Sequence, residues 1–222
     1  MTTGLLACGP MYALLYILAN DAVAASRYGG YSRTDQAISE LSATGAPTQR
    51  FLQWLVPVFT ALMIGFGIGV WRSAGGRVGV RVLGALFVVF GVVGVAWLWF
   101  PMSNRDDIAA GAGDSSNDAG HLVLSLLSVM LIAVCTVLAA VLWRSWFRWF
   151  TIVAAVVVLV AGAYTSRMVP MIQDGESTVW MGLIERVSIF GFFVWVAVLG
   201  LFLIARAPTA LPTPSVVGPA RS

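Results

Sequence analysis

Six stretches of about twenty mostly apolar residues, joined by short polar connections, constrain this chain more than any other feature of it. A helix needs roughly 20 residues to cross a hydrocarbon layer about 30 Å thick. Within that layer a helix satisfies its own backbone donors and acceptors, so the stretches read as spans. They run approximately over residues 4–25, 51–71, 80–100, 121–143, 147–167 and 180–205. The expected fold is therefore an all-α membrane protein, a six-transmembrane-helix bundle over residues 1–207. Residues 208–222, rich in Pro, Ala and Ser, are expected to form a disordered cytoplasmic tail. Composition agrees: 59% of the residues are hydrophobic and 10% charged, against about 25% charged in ordinary soluble domains. The first stretch ends in Ala22-Val23-Ala24-Ala25, which resembles a leader cleavage site. Residues 1–10 carry no Arg or Lys, so a retained helix is expected instead.

The ionisable residues report orientation. All 13 basic residues are arginine. Arg72, Arg77, Arg81, Arg144, Arg148, Arg206 and Arg221 fall on one side of the six spans, without a carboxylate among them. Arg27, Arg33, Arg50, Arg105, Arg167 and Arg186 fall on the other, mixed with all ten acidic residues. Short loops rich in arginine stay inside. The reading is a multi-pass protein of the cell membrane with both termini cytoplasmic and the acidic side outward. No basic stripe exists, so nucleic acid is not an expected partner. Cys8 and Cys135 lie within apolar stretches, which argues against a disulfide framework or a thiolate metal site. One histidine and two such cysteines offer no axial pair for haem, and no cofactor is expected.

Aromatic and small residues refine the bundle. Trp71, Trp143, Trp146 and Trp149 are expected at the inner boundary, and Trp54, Trp97, Trp99 and Trp180 at the outer one. Trp195 falls near mid-membrane, where its N–H needs a partner. Gly65, Gly67, Gly69, Gly84, Gly91 and Gly94 make the second and third helices glycine-rich. Such faces let backbones approach within a bundle, and they can also serve a homo-oligomer or a membrane-protein partner.

Candidate chemistry gathers on the acidic side. Ser32 and Asp35 have capping-box spacing, Ile38 and Leu41 share a face, and Gly45 and Pro47 supply a stop. This predicts a short interfacial helix in the first outer loop, with Ser39 and Glu40 available to a pocket. Asp114 to Asp118 resembles a calcium loop only superficially, because it lacks the glycine and the later glutamate that such loops need. His121 follows Asp118 by three residues, so the two can share a helical face as a weak metal site. One histidine is few ligands for a hydrolytic metal, and no metal is expected. Glu185-Arg186 opens the last span, where ionisable residues are costly and usually face the interior or water. Arg186 is suited to an anionic group such as a lipid phosphate, and Asp21 raises the same question in the first span.

These landmarks resemble a family of bacterial membrane proteins, domain of unknown function 998. The resemblance rests on Gly30-Tyr31-Ser32 with Ile38-Ser39-Glu40-Leu41, on Phe100-Pro101 followed by His121, and on Glu185-Arg186. It covers about residues 4–205. Family members often have an acidic residue soon after the proline; here Met102 and Ser103 intervene before Asp106. The resemblance implies a six-helix bundle with polar landmarks on one side, and no activity. Three functions follow as expectations. The first is binding of a membrane lipid headgroup or small amphiphile by Tyr31, Ser39, Glu40, His121 and Arg186, without catalysis. The second is a metal-dependent membrane lipid hydrolase. The third is a structural or assembly subunit acting through the glycine-rich helices. A transporter is disfavoured, because the second to fifth spans lack ionisable residues at mid-membrane.

Overall fold

A computed structural model describes residues 1–206, and the expected tail at 208–222 lies outside the described residues. The chain forms six long helices: α1 (Thr2–Arg27), α2 (Gln49–Arg72), α3 (Val78–Leu98), α4 (Ser115–Leu142), α5 (Trp146–Ser166) and α6 (Met181–Ala205). All six are long and apolar enough to cross a membrane, and no strand occurs among the described residues. The chain is a multi-pass membrane protein. Each helix packs on the next and α6 closes back onto α1, so the six form a ring. A shared core that includes Leu6, Met63, Phe66, Phe87, Phe192 and Trp195 packs between the helices. The Trp195 N–H finds its partner in Thr151 Oγ1 at 3.0 Å, both groups being buried.

Glycines set the close approaches. A Cβ on Gly67 would lie 2.7 Å from the Gly84 carbonyl oxygen, and one on Gly69 would lie 2.8 Å from Leu6 N. The glycine faces of α2 and α3 are thus used within the chain, α2 against α3 and α1. Gly94 departs from the expectation of close approach, since a Cβ there meets nothing within 4 Å.

Local structure departs from the sequence reading at four places. α1 runs to Arg27 through a π-helical stretch, Leu18–Ala24. α4 begins at Ser115, ahead of the expected 121, because Asp114 caps it through hydrogen bonds from Ser116 N and Asn117 N at 3.0 and 3.1 Å. The helix of the first connection is a five-residue 3-10 helix, Ile38–Ser42, that starts after the Ser32–Asp35 pair rather than from it. Ser32 and Asp35 do bond each other at 2.9 Å, but only a turn follows them; Ile38 and Leu41 are buried in the main core. Trp143, expected at the inner boundary, is 2% exposed and packs on Phe147 and Phe202.

Candidate functional site: a clamped loop above an amphipathic cavity

The three connections α1–α2, α3–α4 and α5–α6 meet at one end of the ring, and every carboxylate lies in or beside them. We call this the acidic end. Arg186, 6% exposed, organises it from the second turn of α6. Its Nε donates to Asp21 Oδ1 at 2.8 Å, and its Nη1 donates to the carbonyl oxygens of Arg33 and Gly182 at 2.8 and 3.0 Å. Its Nη2 donates to Tyr31 Oη at 3.1 Å, and that hydroxyl donates in turn to the carbonyl oxygen of Ala37 at 2.7 Å. The π-helical stretch of α1 carries Asp21 to this guanidinium. Such stretches recur at functional positions because the extra residue re-aims side chains.

Other contacts seal the same loop. The backbone N–H of Ile38 donates to Glu185 Oε2. Thr178 Oγ1 donates to the Asp35 carbonyl oxygen at 2.8 Å, and Leu183 N to that of Thr34 at 3.0 Å. Gly182 is required here, since a Cβ would lie 2.1 Å from the Gln36 carbonyl oxygen. Glu40 is 3% exposed; it accepts from Arg105 Nη2 at 2.7 Å and Nε at 3.0 Å, a bidentate pair that ties the first connection to the second. These bonds hold the Arg105 guanidinium further in its charged form, and burial pushes the Tyr31 phenol above its ordinary range.

Beneath the loop, between the helices, lies a partly open cavity of about 430 Å³. Ser39, Ser42, Gln53, Asp118, His121 and Glu185 line it toward the acidic end. Farther in, its wall includes Phe59, Met63, Phe90, Val129, Ile132 and Phe192. Gly94 opens onto it. His121 Nδ1 lies 3.1 Å from the Phe100 carbonyl oxygen, and Asp118 Oδ1 accepts from Ser103 N at 2.7 Å. Among the described residues no three His, Cys, Asp or Glu side chains converge where a metal ion could be held.

The five residues singled out from sequence divide between two structures. Ser39 and His121 line the cavity, and so do Asp118 and Glu185. Tyr31, Glu40 and Arg186 belong to the clamp, with their polar atoms directed to protein partners. Sequence reasoning missed Tyr12, Tyr16, Asn20 and Gln53 as cavity residues. The first three sit in an apolar stretch whose lipid-facing and interior faces have no sharp contrast. Gln53 carried one usable signal, a polar side chain four residues before Pro57, which has no N–H for the Gln53 carbonyl.

The family described as "Protein of unknown function (DUF998)" matches residues 11–202. No curated protein and no solved structure matches the chain.

Proposed function

The chain belongs to the DUF998 family, whose description assigns no activity, and from its own cavity we propose that it binds a membrane lipid or similar amphiphile without catalysing a reaction. One observation carries this reading: a space of about 430 Å³ whose wall is mostly aromatic and aliphatic, with Ser39, Asp118, His121 and Glu185 among the polar groups toward the acidic end. Ligand sites typically measure roughly 300–1,000 Å³, mostly apolar with a few placed polar groups. Ser39 and His121 stand at the headgroup end, and the Tyr31–Glu40–Arg186 network holds the loop that covers it. The reading further places the acidic end outside the cell membrane and both termini in the cytoplasm, from the arginine distribution. Reporter fusions after Asp35, Asp114 and Arg206 test that orientation, the first two on one face and the third on the other.

Gly94→Phe tests the binding. A Cβ there meets nothing within 4 Å and the position lines the cavity, so the phenyl ring should take up cavity volume; thermal unfolding in detergent checks that the variant stays folded. An amphiphile carrying a photoactivatable chain should crosslink to α3, α4 and α6 of the wild type, and this labelling should fall sharply in Gly94→Phe. Equal labelling of both proteins on the same peptides would overturn the proposal.

A further inference from the structure

Arginine is the residue expected to hold an anionic headgroup, yet no arginine lines the cavity. Arg186 is occupied by Asp21, Tyr31 and backbone carbonyls, and Arg105 by Glu40. Arg33 lies 3.7 Å from Asp21 and donates to that residue's carbonyl oxygen at 2.9 Å. The carboxylates and imidazole that do line the cavity are Asp118, Glu185 and His121, beside the phenols of Tyr12 and Tyr16. A phosphate placed beside Glu185 would meet a carboxylate and no lining arginine.

Glu185 is the less committed of the two carboxylates. One of its oxygens accepts the Ile38 N–H; the other has no hydrogen bond, and the carboxylate has no ion pair among the described residues. A carboxylate half-withdrawn from water is stabilised by a cation, a donor or a proton of its own. Aromatic rings stand in the same cavity. Tyr16 and Phe193 have ring centroids 4.5 Å apart, Tyr12 and Phe193 4.7 Å, and Tyr12 and Phe59 5.3 Å. The hydroxyls of Tyr12 and Tyr16 make no hydrogen bond among the described residues, and Tyr12 is 7% exposed. Aromatic faces attract ammonium groups, and free phenol oxygens accept hydrogen bonds from them.

We infer that the ligand's headgroup is cationic: the cavity takes an amine-bearing amphiphile whose ammonium sits against the free oxygen of Glu185 on the side of Tyr16, its chain lying toward Met63, Phe90 and Ile132. This inference rests on the amphiphile reading and specifies its headgroup. Glu185 is then a binding residue, and Arg186 is a positioning residue for the loop above it.

The test uses full-length protein in dodecyl maltoside and the photoactivatable amphiphile, competed by dodecylamine, dodecanol or dodecyl phosphate. Dodecylamine should displace the probe at roughly ten- to hundredfold lower concentration than the other two, the range expected for one charge-assisted contact. Glu185→Gln should erase that advantage while labelled peptides stay the same; glutamine still offers an oxygen to the Ile38 N–H. If Glu185→Gln fails to fold, the order of competitors on the wild type decides alone. Equal displacement by all three overturns the cationic headgroup and leaves the amphiphile reading standing, and a preference for dodecyl phosphate does the same. Labelling unaffected by Gly94→Phe overturns both.

Discussion

Replacing Arg186 by alanine removes four acceptor contacts at once, to Asp21 Oδ1, the carbonyl oxygens of Arg33 and Gly182, and Tyr31 Oη, all within 3.1 Å. Deleting one member of a buried ion pair costs about 3–5 kcal/mol. Here the partner is only half-buried: the Asp21 side chain is 35% exposed and keeps Arg33 nearby. The lower end applies, about 3 kcal/mol. The loss should be local, because Arg186 joins α6 to α1 and the first connection and touches neither α3 nor α4. Hydrogen exchange in detergent reads this directly. The amides of Gln36, Ala37 and Leu183 are bonded within the clamp. They should exchange about a hundredfold faster in Arg186→Ala, with α3 and α4 unchanged. Arg186→Lys, which keeps the charge and loses the planar fork, should fall between. Unchanged protection of residues 31–42 in Arg186→Ala would refute the clamp, and uniform loss across all helices would refute its locality.

Gly182→Ala should destabilise by about 1–3 kcal/mol or expel the loop, since the new methyl would lie 2.1 Å from the Gln36 carbonyl oxygen; thermal unfolding in detergent measures it. Trp195→Phe strands the buried Thr151 hydroxyl and should cost about 1–3 kcal/mol, part of it recovered by adding Thr151→Val. Asp114 is held below the ordinary carboxylate value by hydrogen bonds from the Ser116 side chain and the Asn117 and Ser116 backbone. Its cap is fully present above the unfolded value of about 3.9 and is lost as pH falls through the lower folded value. Exchange in the first turn of α4 should accelerate over that acid range, and Asp114→Asn should remove the pH dependence.

The membrane architecture and the acidic end were legible in the sequence because both are local properties. A twenty-residue apolar stretch is a span whatever surrounds it, and the side of the ring on which Asp35 or Asp174 falls follows from counting spans. The helix starts were less legible: α4 reaches back to Ser115 because of a cap formed by Asp114, a residue that also suits a loop. The first loop misled for a related reason. Ser32 and Asp35 bond as a capping box should, but the backbone between and beyond them bonds Arg186 and Glu185 instead of continuing as a helix from that pair.

Sequence alone thus settled the number of helices and the end at which ionisable chemistry collects. Folding settled which of those ionisable groups are free. Arg186 meets Asp21 across 165 residues and Arg105 meets Glu40 across 65, so two arginines that looked available are spent on holding the loop. Glu185, adjacent to one of them, faces the cavity instead. An ionisable group's role depends on the charges within a few ångströms of it, and those neighbours come from other helices rather than from adjacent positions in the chain.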